Sequence, residues 1–461
     1  MWPVIRIEVG KGEARVSEGQ RDRTATFGEI FSVREYRALF LSDTVSVLGD
    51  MLARVAVTFL VWQQTSDTLL TAATFAVSYA PYLLGAPILS ALAERYPYRR
   101  TIITADVLRM CLIGVIAVPG MPLWSMLTLL FCVAMVTPAE RSARSAILPQ
   151  VLEGDRYVVA LSVGGMTRQI ALLSGYFLGG ALAAVNASLA LLVDAGTFGI
   201  SALLIWGFVA TRPAEGADNV RRNLLRETGE GVRLVFSDRV LRSIALLVFV
   251  LVAFTVVPEA AAPAWASELG GGSLMQGAIM AAAPVGAALG SLIIGRFLKP
   301  SVRLKLIRPL AIAAPLLLIP ALLGPRVEIV FALNLLVNFV VGILIALNGL
   351  FVQAVPGNFR ARAFGVMQTG LMLTQGAAVL IVGAVANTSL SMAQTVGLWG
   401  IAGVILVGLL VLTWPSARTI EEATAAAKPQ AAEKPAEPAE VKEAEPKPSP
   451  LGRPDAAKAD A

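Results

Sequence analysis

The chain has 461 residues, 56% of them hydrophobic and 15% charged, with 38 Lys and Arg against 32 Asp and Glu and a net charge of +6. A soluble domain of ordinary make-up holds roughly 45–50% apolar and about 25% charged residues, so this composition excludes a water-soluble globular protein and points to lipid. Histidine is absent and the two cysteines, Cys111 and Cys132, lie in apolar runs without partner spacing, which excludes a disulfide framework, a thiolate metal site and imidazole proton transfer; both thiols are expected to be buried.

Residues 1–33 are polar and mixed in charge, lack the apolar stretch and cleavage site of a secretory signal, and read as a cytoplasmic N-terminal tail. Twelve apolar runs follow, near residues 38–64, 69–93, 101–118, 123–141, 158–184, 188–209, 243–266, 274–297, 304–323, 327–353, 363–386 and 391–414. Each is long enough to cross a hydrocarbon core of roughly 30 Å as a helix. The polar stretch 211–242 divides them into two sets of six, which predicts an N-terminal bundle over 34–210, a cytoplasmic linker over 211–242 and a C-terminal bundle over 243–414. Residues 415–461 are dominated by Ala, Glu, Lys and Pro and are expected to be disordered. Small residues such as Gly175, Gly179, Gly286 and Gly290 inside the spans predict close helix packing.

Basic residues fall in alternate loops. Arg34 and Arg37, then Arg95, Arg99 and Arg100, then Arg141, Arg144 and Arg156, and later Arg296, Lys299, Arg360 and Arg362 mark one side, whereas the opposite loops carry only Arg326. Short basic loops stay in the cytoplasm, so both termini are expected there, in a bacterial-type inner membrane. The net charge then reflects loop placement and gives no sign of a nucleic-acid surface.

Charges in mid-span carry the most information, because each costs roughly 2.5–3.5 kcal/mol at the bilayer centre on insertion scales. Asp50 lies near mid-membrane in the first span, Arg54 follows one turn later, and Arg168 sits at similar depth in the fifth, with Asp50 as its expected anion. A fixed ion-pair lock and a transport role both fit these three. Asp194 in the sixth span and Glu259 in the seventh lie nearer the outer side. Asp194 reads as solvated near the interface; Glu259, after Pro258 and without a basic residue within a turn, has the setting of a proton-carrying carboxyl. Asn334 and Asn338, with Asn348 and Gln353, mark a polar stripe in the tenth span that suits either a wet cavity or helix-to-helix hydrogen bonds. Gln368 and Gln375 in the eleventh have the same two readings. Glu94, Arg95, Arg99 and Arg100 join the second and third spans, and Asp106 and Arg109 follow; together they read as a cytoplasmic charge latch.

The sequence has no G-x-x-x-x-G-K-[ST], G-x-S-x-G or H-E-x-x-H pattern, so neither ATP use, hydrolysis nor a resident cofactor is expected, and a gradient must supply energy.

Ser90-Ala-Leu-Ala-Glu-Arg-Tyr-Pro-Tyr-Arg-Arg100 resembles the signature G-x-x-x-D-R-x-G-R-R of the major facilitator superfamily, with Glu94 for its Asp and Ser90 and Pro97 at its two glycines. The following Ala105-Asp106-Val-Leu-Arg109, together with Leu48-Gly-Asp50, Pro138-Ala-Glu-Arg-Ser-Ala-Arg144, Leu148-Pro149 and Pro356-Gly-Asn-Phe-Arg-Ala-Arg362, is similar to its twelve-span drug:proton antiporter branch, which includes macrolide-efflux and enterobactin exporters. Gly175 to Gly180 keeps glycines of the antiporter pattern G-x-x-x-G-P-x-x-G-G without its proline. The resemblance implies an all-α polytopic fold of two pseudo-symmetric six-helix bundles, a monomer, and a cavity lined by spans 1, 4, 7 and 10. It further implies export of a small amphipathic molecule in exchange for protons, with Asp50 or Glu259 as proton carrier and with Arg54 and Asn338 at or near the substrate path; Arg168 and Asn334 are cavity candidates from their own placement. A dedicated siderophore or natural-product exporter and a non-transporting receptor or scaffold are the alternatives.

Overall fold

Backbone that enters lipid must satisfy its own hydrogen bonds, and for long apolar runs that selects helices. The computed structural model describes residues 26–81, 96–212, 224–356, 359–388 and 390–426, which are helical apart from short turns. Helix α1 (Phe27–Ser32) precedes α2 (Arg34–Thr65) and α3 (Thr68–Val77), and Asp67 caps α3 by accepting from the Leu70 amide. Next come α4 (Tyr98–Ile116), α5 (Leu123–Val151) and α6 (Asp155–Phe208). The 54 residues of α6 contain two predicted spans, broken at Asn186 (φ −164°, ψ 114°), whose carboxamide accepts from the Leu189 amide and starts the second half.

Within the predicted linker, α7 (Leu224–Ser237) leads to α8 (Arg239–Thr255) and α9 (Val257–Glu268), which form one span bent before Pro258. Then follow α10 (Ser273–Leu292) with a π turn, α11 (Pro300–Leu316) with a 3-10 turn, and α12 (Val327–Val341) with α13 (Leu344–Ala354). Helices α14 (Arg360–Ala386), α15 (Met392–Leu412) and α16 (Ala417–Ala426) complete the described chain. Among the described residues, nine helical stretches are long and apolar enough to cross a membrane, α6 counting once. With α6 taken as two, and with α3 and α4 added, every predicted apolar run falls on a helix. The rest of the second run, with Glu94 and Arg95, lies outside the described residues.

Three local differences have physical causes. Helix α5 runs ten residues past its expected end at 141, because Glu140 pairs with Arg144 one turn on and the helix continues through both. The linker holds α7, whose Glu230 meets Arg362 of α14 at 2.7 Å, and the stretch expected as disordered tail holds α16, whose Ile420 is buried in the cluster of Leu350 and Trp414. Cys111 and Cys132 face outward instead of inward, as do Leu203, Trp206 and Ile405, an apolar exterior suited to lipid.

Two bundles, α2–α6 and α8–α15, pack through small residues. In α10 a Cβ on Gly290 would overlap the Phe339 carbonyl oxygen of α12. Gly290→Val therefore cannot keep this crossing, and we expect a loss of about 1–3 kcal/mol, seen as a lower unfolding midpoint of the purified protein.

The bundles meet at the end away from the termini. There Thr68 Oγ1 donates to the Gly383 carbonyl (3.0 Å), Ser273 Oγ to the Gly180 carbonyl (3.0 Å), and Gln276 Nε2 to Thr58 Oγ1 (2.8 Å). Among the described residues every hydrogen bond between the bundles lies in that half or at mid-depth.

Candidate functional site

Between these contacts and the terminal end lies a cavity of about 460 Å³. Its walls come mainly from the first bundle, with Asp50, Arg54, Arg109, Arg141, Arg168, Tyr176 and Asp194, while the second bundle contributes Glu259, Met372 and Gln375. A further cavity of about 320 Å³ shares Arg141 and Arg168 with it and runs on towards Tyr36 and Tyr157 at the terminal end. At the opposite end, Gln276 also lines a separate cleft with Trp62 and Ser267. The Gln276–Thr58 hydrogen bond thus stands between that cleft and the central cavity.

One charge network is internal to the first bundle. Arg109 is 2% exposed, donates to Asp50 Oδ1 (2.8 Å) and Oδ2 (3.1 Å), approaches Glu140 at 3.9 Å, and stacks on Phe198 at 4.2 Å. Arg144 pairs with Glu140, lies 3.6 Å from Asp106, and donates to Ser42 (2.8 Å) and Ser201 (3.0 Å). Ser201 in turn donates to Asp106 Oδ2 at 2.5 Å. A planar guanidinium with five donors suits such multi-acceptor positions. Burying these ions costs several kcal/mol each, and only dense pairing of this kind offsets it.

The other charge pair joins the bundles. Arg54 of α2 stands 3.7 Å from Glu259 of α9 and over Phe75 at 5.1 Å, and the Tyr176 hydroxyl of α6 donates to Glu259. The carboxylate that had no basic neighbour along its own helix therefore has one across the cavity.

The structure redistributes the partners expected from sequence. Asp50 serves Arg109 and not Arg168, and Arg54 serves Glu259 and not Asp50. Asp194, expected to be solvated, is 1% exposed, bonded by Thr197, with Oδ2 buried and unpaired. The latch residues separate: Arg99 donates to Thr211 and the Trp206 carbonyl, Arg100 is exposed at the terminal end, and Asp106 and Arg109 are buried within the first bundle. Asn334 donates to the Ile279 carbonyl (2.7 Å) and ties α12 to α10, Asn338 donates to Asn334 Oδ1 (2.9 Å) within α12, and neither lines the cavity. Spans 1, 4 and 7 do line it; the tenth does not, and the second, third, fifth, sixth and eleventh do. Glu140, Arg144, Ser42, Ser201 and Tyr176 join the site without having been expected there. The four-residue step from Glu140 to Arg144 is the one local signal that marks any of them.

The family model described as the Major Facilitator Superfamily matches residues 39–379. Comparison with curated protein sequences finds no match. Among solved structures, a point mutant of the nucleoside transporter NupG superposes with a TM-score of 0.69 at 14% identity, covering 82% of this chain and 99% of that one. A POT family transporter in complex with 5-aminolevulinic acid gives 0.65 at 12% identity over 84% and 97%. A bacterial homolog of the human lysosomal transporter Spinster, in an inward-facing and occupied conformation, gives 0.63 at 14% identity over 85% and 97%. At these identities the likeness is one of fold.

Proposed function

The chain belongs to the Major Facilitator Superfamily of membrane transporters, and on that footing we propose that it exports amphipathic small molecules in exchange for protons by alternating access. The observation that carries this reading is the ion pair between bundles, Arg54 with Glu259, on the wall of the central cavity. A proton on Glu259 cancels its attraction to Arg54, and its loss restores it, so proton occupancy biases how the two bundles sit on one another. Asp50 is the second proton-coupling candidate, since it too reaches the cavity and is bound to a single guanidinium.

The basic loops support a cytoplasmic assignment of the terminal end. On that assignment the cavities extend inward, the Gly180–Ser273 and Thr68–Gly383 contacts close the outer side, and the conformation is inward-facing. Export then loads substrate from this side. The test is uptake into inside-out membrane vesicles, acidified within, of a panel of macrolides, lipophilic cations and catecholate siderophores. Accumulation of at least one compound, collapsed when the proton gradient is dissipated, is expected; accumulation unaffected by that dissipation contradicts proton coupling.

A further inference from the structure

Three of the five arginines around the connected cavities have an acidic partner: Arg54 has Glu259, Arg109 has Asp50, and Arg144 has Glu140. The other two, Arg141 of α5 and Arg168 of α6, line both cavities and, among the described residues, make no hydrogen bond and no ion pair. Arg141 is exposed to the cavity and Arg168 half-buried.

Two guanidiniums facing one space repel each other, and a confined space screens them less well than bulk solvent does. Asp43 borders the same space but lies beyond ion-pair reach of both, and it offsets only one of the two charges. Asp50 and Glu140 are held by Arg109 and Arg144 and are not free to compensate. Next to the arginine pair the wall is apolar and aromatic, with Tyr36, Leu39, Phe40, Leu148 and Tyr157.

We propose that this place binds the head of an amphipathic organic anion, a carboxylate, phosphate or sulfonate, between Arg141 and Arg168, with its apolar body against Phe40, Leu148 and Tyr157. The inference deepens the transporter reading and rests on it: the cargo is an anion and not a lipophilic cation. The planar fork of each guanidinium matches such head groups in bidentate fashion. The same chemistry is offered by a free anionic metabolite and by an anionic lipid headgroup.

The test is equilibrium binding to the full chain in phosphatidylcholine nanodiscs, with radiolabelled taurocholate as the anionic probe and tetraphenylphosphonium as the cationic one. Wild type is expected to bind taurocholate; Arg141→Gln and Arg168→Gln should each weaken it about tenfold or more, as loss of a charge-assisted hydrogen bond does, while Arg168→Lys retains most of it. Unfolding midpoints of the glutamine variants equal to wild type show them folded, and tetraphenylphosphonium is expected to bind wild type more weakly than taurocholate does; the reverse order overturns the proposal. Nanodiscs containing phosphatidylglycerol separate the sources: undiminished taurocholate binding indicates a soluble anion, and competition seen in wild type but not in the variants indicates a lipid head. Taurocholate binding equal in wild type and both glutamine variants, or absent from wild type, overturns the proposal. No gradient is applied, so a failure of proton coupling leaves this result standing, and the two are judged separately.

Discussion

Arg109→Met should cost the protein about 3–5 kcal/mol and most of its folded yield, because it strands Asp50 without its guanidinium and leaves Glu140 with Arg144 alone. The side chain is 2% exposed, so water cannot replace what the substitution removes. Methionine fills much of the volume against Phe198, so the cost comes from the lost charge and not from a void. The unfolding midpoint and the monodisperse fraction after extraction measure the effect. Pairing the change with Asp50→Leu should recover part of the loss, since the two groups are in direct contact and their effects are not additive. A midpoint equal to wild type in the single variant would mean that Arg109 is not the organising charge of the first bundle.

A second substitution acts on conformation. A Cβ on Gly277 would lie 2.5 Å from the Tyr176 carbonyl oxygen and 2.9 Å from the Gly180 Cα, so Gly277→Leu does not fit the contact between α6 and α10, the outer one on the orientation proposed above. Overlap of this kind is worth about 1–3 kcal/mol, enough to shift the balance of two states by roughly fivefold to somewhat over a hundredfold. The bundles then part at the outer end, and transport falls by a similar factor. Thr58, buried behind Gln276, reports the change. As Thr58→Cys, with Cys111 and Cys132 replaced by serine, it should resist an impermeant thiol reagent added outside cells, and should react once Gly277→Leu is present. Both native thiols face outward, so their replacement is expected to be silent. Equal labelling with and without Gly277→Leu would contradict the closed outer seam.

The helices are legible in the sequence because lipid imposes one rule on every span: a long apolar run must satisfy its own backbone. That rule places Leu123 at a helix start without any knowledge of neighbours. It fixes the depth of a residue and says nothing of the direction it faces. Asp50 and Arg168 share a depth, yet Arg109 of α4 takes Asp50, because the rotation of α4 and α6 about their axes is set by packing. Asp194 departs from its expected solvated setting for a related reason. The break at Asn186 and the absence of a side chain on Gly49, where a Cβ would overlap Asp194 Oδ1, let that carboxyl tuck beneath α2, out of solvent. Asn334 and Asn338 show the opposite difference. A polar stripe on one helix face suits a cavity and a helix contact equally, and the approach of Gly286 and Gly290 in α10 makes it a contact.

In the proposed cycle a cavity carboxylate carries the proton, and Glu259 is linked across the bundles to Arg54. Proton flux into proteoliposomes on addition of a transported compound, with wild type, Glu259→Gln and Asp50→Asn compared side by side, decides whether this is so. Compound-dependent flux is expected in wild type and should be lost in at least one variant, while that variant still exchanges unlabelled for labelled compound across the membrane. Flux of wild-type size in both variants would show that neither carboxylate carries the proton.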